Sequence, residues 1–163
     1  MVALRKLCQD DIRIIYDWIS DLELRKMTGT RGIPDRESHR KWFESKINDD
    51  KNIIRIITYN GIPVGIIGTN DINYIDNNAN IYLYIGNTSF RKKGIAYNAV
   101  CQIEEILKAP YSWHKITATI GSYSIPSINL VKKSGFTCEG IQKEQVFYDG
   151  KYFDRLLFGK ILT

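Results

Sequence analysis

The chain has little of what staples a small protein together: three cysteines and two histidines among 163 residues. Cys8, Cys101 and Cys138 are an odd set at wide spacing with no Cys-x-x-Cys pair. A disulfide framework or a metal site is therefore not expected, and the thiols read as buried structural side chains. The four prolines do not gather into a linker, and no repeat or low-complexity tract interrupts the chain. The longest apolar runs fall far short of the roughly 20 residues of a membrane helix. The opening Met1-Val2-Ala3-Leu4-Arg5 lacks the apolar core of a secretory signal, so a cytoplasmic location with no membrane partner is expected.

Against those absences stands a composition of 44% hydrophobic and 25% charged residues. It suits one globular domain, residues 1–163, able to bury most of the surface its unfolded form would expose. The formal net charge of +5 suits an anionic ligand. Because Arg91, Lys92 and Lys93 are consecutive, a phosphorylated cofactor fits better than nucleic acid, for which basicity is the sole support.

Hydrophobic periodicity gives the order of elements. Val2, Leu4 and Leu7 suggest a first strand, and Asp10 is placed to cap a helix whose Ile12, Ile15, Ile19 and Leu22 recur at helical steps. Arg25 to Pro34, with Gly29 and Gly32, reads as an irregular loop, after which Asp35 caps a helix carrying Trp42, Phe43 and Ile47. Strands are expected at Ile53 to Thr58, Ile62 to Thr69 and Ala79 to Ile85, the first two joined by the hairpin dipeptide Asn60-Gly61. A helix from Ile95, with its apolar stripe at Ala99, Val100, Ile103, Ile106 and Leu107 and with Glu104 on an outer face, stops at Pro110. Lys115 to Ile120 is then a strand, and a strand–helix–strand connection of this length demands parallel pairing. A last helix, with Pro126 in its first turn and Gly135 past its end, leads to two strands, Ile141 to Tyr148 and Tyr152 to Ile161, turning at Asp149-Gly150.

The segment Arg91-Lys92-Lys93-Gly94-Ile95-Ala96 sits between a strand and a helix. Unpaired N–H groups at a helix start attract an anion, and Gly94 lets the backbone approach it closely. On these six residues alone, a solvated basic loop is an equal reading.

Together with Ser127-Ile128-Asn129-Leu130-Val131-Lys132-Lys133-Ser134-Gly135-Phe136 and the ending Tyr148-Asp149-Gly150-Lys151-Tyr152-Phe153-Asp154, this segment resembles the GNAT acyl-CoA N-acetyltransferases. Arg91, Gly94 and Ala96 fill the family's glycine turn, and the ending is similar to the branch that acetylates ribosomal-protein alanine N-termini. The resemblance implies a mixed α/β, three-layer sandwich: a central mixed sheet of about six or seven strands with helices on both faces. It implies acetyl-CoA as co-substrate, no metal, and an amine acceptor, with a homodimer as one possible assembly. Acetyl-CoA would be held by the backbone of Leu83, Tyr84 and Ile85, by Arg91, Lys92, Lys93, Gly94, Ile95 and Ala96, and by Ser124, Ser127 and Asn129.

Two departures stand out. Val131 occupies the place of the family's usual acid tyrosine, and Asn80 that of a frequent glutamate, so acid and base are both unassigned. Candidates for proton transfer are His39, Glu144, Tyr148 and Asp71, with His39 closest to neutrality by type. The acceptor expected is a primary amine, such as a protein N-terminus. A nucleotide-linked amino sugar is the alternative, since Arg25, Arg31, Arg36 and Arg40 would suit a phosphorylated acceptor and repel a polyamine. A non-catalytic acyl-CoA-binding module is a further alternative.

Overall fold

A computed structural model describes residues 1–29, 32–51, 53–109 and 112–163. Its elements in order are β1 (Val2–Arg5), α1 (Asp11–Ser20), α2 (Leu22–Thr28), α3 (Arg36–Ile47), β2 (Ile54–Tyr59), β3 (Ile62–Asn73) and β4 (Asn78–Ile85). A 3-10 turn at Thr88–Phe90 leads to α4 (Ile95–Lys108), β5 (Lys115–Gly121), α5 (Ile125–Lys133), β6 (Thr137–Tyr148) and β7 (Lys151–Ile161). The seven strands form one sheet in the order β1-β2-β3-β4-β5-β7-β6. All its pairings are antiparallel except β4–β5, which is parallel across the α4 crossover as the pattern requires.

The sheet is apolar on both faces because helices cover both. Ile54, Ile56 and Ile66 turn toward Ile15, Trp18, Leu24 and Phe43 of the first three helices. Ile53, Ile57 and Ile67 turn toward Ile95, Ala99, Ile103 and Leu107 of α4 and toward Ile128 and Val131 of α5. Covering both faces produces continuous isoleucine runs rather than a clean alternation. Asn60 and Gly61 carry the positive φ angles, 50° and 82°, that close the β2–β3 hairpin, and Asp149 and Gly150 do the same between β6 and β7.

Several expectations are corrected. Residues 22–28 form α2 rather than loop: Asp21 accepts the Leu24 N–H at 2.7 Å, and Gly29 closes the helix at φ 69°. Seven residues ending on glycine are too few for periodicity to reveal. Leu22 opens α2 and is exposed, so it is not core. Asp10 makes no cap; Asp11 is buried instead, accepting the Cys8 N–H at 2.8 Å and two Arg5 N–H groups at 2.7 Å. The three thiols are exposed rather than buried.

Glu104, expected on an outer face, lies inside with its carboxylate 2.8 Å from Lys160 Nζ. The same ammonium donates to the Ser134 carbonyl at 2.7 Å, tying α4, β7 and the end of α5. Helix α4 ends at Lys108, and Pro110, expected to stop it, lies outside the described residues. Among the described residues, no helix is long and apolar enough to cross a membrane.

Candidate functional site

The parallel strands β4 and β5 pair at only three positions, Asn78↔Lys115, Ala79↔Ile116 and Asn80↔Thr117. Beyond Asn80, β4 stays in regular register with β3 as far as Ile85, while β5 follows β7 to Gly121. A wedge-shaped cleft therefore opens at the carboxyl ends of the two parallel strands, where open α/β sheets place ligands.

The free edge of β4 lines this cleft. The Ile85 carbonyl accepts from Arg91 Nε at 3.2 Å, so it points away from β3. Because backbone groups of successive strand residues alternate between edges, Leu83 shares the cleft edge with Ile85, and the backbone of Tyr84 faces β3. Of the three consecutive residues expected to hold acetyl-CoA, Leu83 and Ile85 thus carry their backbone groups on the cleft edge and Tyr84 carries its own on the β3 side. The Tyr84 side chain packs edge-on against Trp18 with ring centroids 6.3 Å apart, and burial raises its phenol well above the ordinary tyrosine value. An ideal Cβ on Gly86 would lie 2.2 Å from the Trp18 ring, so that position admits only glycine.

Next to the strand end lies the glycine turn. Lys92 and Gly94 have φ angles of 61° and 73°, and an ideal Cβ on Gly94 would meet nothing within 4 Å. The α4 ladder starts with the Asn98 N–H bonded to the Gly94 carbonyl at 3.1 Å, leaving the N–H groups of Ile95, Ala96 and Tyr97 ahead of it. No acidic side chain occupies that first turn. Arg91 Nη2 is buried without a hydrogen-bond partner, and Lys93 Nζ rests 5.0 Å from the centre of the Phe90 ring. An orphan guanidinium N–H beside unpaired helix amides and open space fits the phosphates of coenzyme A. The Ile95 side chain is core, so it can offer only its backbone.

Helix α5 starts at the end of the other parallel strand. Ser124 Oγ donates to Ser127 Oγ at 2.8 Å, and Asn129 is exposed on the first turns. Val131 is packed in the core, and it has no proton to give.

Across the cleft an aromatic cluster gathers. The Tyr123 ring lies over Gly121, where an ideal Cβ would fall 2.4 Å from it, and its hydroxyl reaches Gly29 at the end of α2. Tyr148 stacks on Tyr123 with centroids 3.8 Å apart and planes 6° off parallel, and Phe153 meets both rings edge-on. Burial, then the neighbouring Tyr148, raise the Tyr123 phenol above its ordinary value. Deeper in, Asn80 Nδ2 donates to Thr119 Oγ1 at 3.0 Å and to Thr117 Oγ1 at 3.3 Å. Sequence reasoning missed Tyr123, Thr117 and Thr119. The alternation of Thr117 and Thr119 along β5 was the available signal.

The proton-transfer candidates scatter. His39 is 4% exposed, its Nε2 bonds the Ile12 carbonyl at 2.8 Å, and its ring stacks on Trp42 at 5.7 Å and tilts against Tyr16 and Phe43. This is a core histidine joining α3 to α1, a geometry that argues against the base role. Glu144 sits exposed in a β6 bulge at φ 50°, its N–H donating to Asp154 Oδ1 at 2.9 Å. That bond, then the bond from Lys143, hold the Asp154 carboxyl below the usual range. Asp71 is exposed at a bulge in β3. Tyr148 alone of the four reaches the cluster beside the end of β5.

Of the arginines, Arg40 is held by Glu37 and Glu44 within α3, at 2.7 and 2.6 Å, and Arg36 lies 5.2 Å over the Tyr16 ring. Arg31 lies outside the described residues. Arg25 keeps a buried Nε with no partner. A shallow depression of about 350 Å³ between Lys108, Trp113, His114 and Leu162 is at the opposite end of β5 from the cleft.

Comparison with known proteins bears on this geometry. Residues 4–157 match the family described as acetyltransferase (GNAT) domain. The SPbeta prophage-derived uncharacterized N-acetyltransferase YokL of Bacillus subtilis (strain 168) is 29% identical over 159 residues, covering 97% of this chain and 88% of that protein. The spermidine N-acetyltransferase of Vibrio cholerae, solved with CoA and spermine, superposes with a TM-score of 0.90 at 19% identity over 99% of this chain and 95% of its own. An N-acetyltransferase from Staphylococcus aureus Mu50 gives 0.85 at 18% identity over 100% and 99%. At such identities the two solved structures share the fold.

Proposed function

The chain belongs to the GNAT acetyltransferase family and is an acetyl-CoA-dependent acyltransferase; from that premise we propose that it moves acetyl directly from the thioester to a primary amine, both held in the β4–β5 cleft. The observation that carries this reading is the coincidence of the splayed strand edge with the orphan Arg91 Nη2 and the open α4 start. Acetyl-CoA supplies the activated acyl group. Arg91, Lys92 and Lys93 and the amides of Gly94, Ile95 and Ala96 take its phosphates, with Ser124, Ser127 and Asn129 bordering from α5.

The backbone of Leu83 and Ile85 holds the pantetheine arm and a donor to the thioester oxygen, where charge develops; one such donor is worth roughly 3 kcal/mol. The amine enters from the face of Asn80, Thr117 and Thr119, whose hydroxyls orient it, and its proton leaves through water. We assign protonation of the departing thiolate to Tyr148, a role supported by its stack on Tyr123 beside the end of β5. No cysteine takes part. A protein N-terminus as acceptor rests on the likeness of the closing hairpin, whereas the Arg25 Nε, buried without a partner among the described residues, supports the amino-sugar class.

Initial rates against acetyl-CoA at several acceptor concentrations should give intersecting lines. Parallel lines, with an acetylated protein in mass spectrometry after acetyl-CoA alone, would replace direct transfer by a covalent relay. Binding of acetyl-CoA with no transfer to any amine would leave an acyl-CoA-binding module.

A further inference from the structure

Tyr123 lies between segments that carry two cations, Arg25 and Arg155, for which no ion pair is found among the described residues. Its ring covers Gly121, and Gly121 stands opposite Arg155 in the antiparallel β5–β7 register, which puts the Arg155 side chain on the same face as the ring. Its hydroxyl meets Gly29, whose N–H bonds the Arg25 carbonyl one turn back along α2. Arg155 of β7 therefore lies on the ring's face of the sheet, and the α2 turn from Arg25 to Gly29 abuts the Tyr123 hydroxyl.

The carboxylates nearby do not neutralise them. Asp21 caps α2, Asp35 caps α3, Glu37 and Glu44 hold Arg40, and Asp154 holds Lys143 and the Glu144 N–H. Arg155 makes no ion pair among the described residues, and Arg25 Nε is buried with no acceptor among them. A buried guanidinium N–H without a partner costs stability, and a ligand oxyanion would relieve that cost.

We propose that the acceptor is a small primary amine carrying an oxyanion, phosphate or carboxylate, a few bonds from its nitrogen, and that Arg25 reads this oxyanion with support from Arg155. Resting on the direct-transfer reading above, the proposal fixes the substrate class of that site. It also separates this chain from its fold neighbours named as spermidine N-acetyltransferases, since the positive charges of Arg25 and Arg155 would repel a polyamine.

The test uses three short acceptors, ethanolamine, 2-aminoethyl phosphate and β-alanine, and the longer polyamine spermidine. Thiol release from acetyl-CoA is measured for the wild-type protein, Arg25→Gln and Arg155→Gln. The wild-type kcat/KM should favour one anionic amine over ethanolamine by roughly tenfold or more, the size of one charge-assisted hydrogen bond. Whether the phosphate or the carboxylate leads identifies the oxyanion. Arg25→Gln should reduce that preference to about twofold or less while leaving ethanolamine turnover and acetyl-CoA affinity unchanged, and Arg155→Gln should reduce it in part.

Ethanolamine or spermidine as the best acceptor, or a preference that survives Arg25→Gln, would overturn the proposal. If no amine is acetylated, the enzymatic reading falls separately. Calorimetric binding of 2-aminoethyl phosphate and β-alanine to the CoA-loaded protein then decides the Arg25 site, which stands if one of them binds and Arg25→Gln weakens that binding and falls otherwise.

Discussion

On its donor side the cleft centres on six consecutive residues, Arg91 to Ala96, beside the end of β4 and the start of α5; on its acceptor side, segments from α2, β5 and the β6–β7 hairpin crowd around Tyr123. A Cβ on Gly94 would meet nothing within 4 Å, whereas one on Gly121 would fall 2.4 Å from the Tyr123 ring and one on Gly29 2.6 Å from its hydroxyl. The donor side works through backbone amides and charge, so it tolerates little chemical change but transmits little strain. The acceptor side works through packing, so a displacement at one segment moves the others.

The sharpest way to break that contrast is Gly121→Val. The added side chain must push Tyr123 off the strand, taking Tyr148 and the Gly29 contact with it. With a responsive amine, kcat/KM should fall about a hundredfold while acetyl-CoA affinity stays within about threefold. Equal losses in initial-rate kinetics and donor calorimetry would mean that the two sides are one packing unit.

Arg91→Ala tests the other side. Its Nη2 is the orphan donor and its Nε anchors the Ile85 carbonyl. Acetyl-CoA should bind about tenfold more weakly, with a shallower dependence on salt and with kcat at saturation nearly intact. A large loss of kcat with unchanged affinity would move Arg91 from binding phosphate to shaping the strand edge.

The smallest effect is expected in the helix layer that supports the acceptor side. Burial alone would raise the Asp11 carboxyl, but the Arg5 guanidinium and the Cys8 N–H together hold it below the usual carboxylate range. The stability this contributes is complete above the unfolded carboxyl's pKa and is lost as pH falls through the lower folded value. Asp11→Asn should therefore cost about 1 kcal/mol in denaturant titrations at neutral pH, and the gap to wild type should close in acid. A gap that persists at low pH would mean that packing, not the ion pair, carries the contribution.

How far each region was legible follows the same division. The glycine turn, the α4 crossover, the Asn60-Gly61 and Asp149-Gly150 hairpins and the α5 ending at Gly135 all depend on backbone geometry within a few residues, and each stands where its turn residues put it. Helix α2 was missed because its seven residues are held by the Asp21 cap and by burial of Leu24 rather than by an apolar stripe. His39 was given chemistry by its residue type, and its ring instead bonds Ile12 across a helix interface 27 residues away. Glu104 was placed outside by its charge, and Lys160, 56 residues on, holds it inside.

The sequence by itself determined the parallel β4–β5 pair and the positive-φ turn ahead of α4, since period and turn chemistry act over a handful of residues, and the family resemblance carried by its motifs implied the mixed α/β layering. Tertiary structure decided that β4 and β5 part after Asn80, that Tyr123 joins α2 to the closing hairpin, and that Arg25 Nε is buried without an acceptor among the described residues. Those outcomes depend on which distant side chains fill the same volume. Packing settles that for the whole chain at once, and no local pattern encodes it.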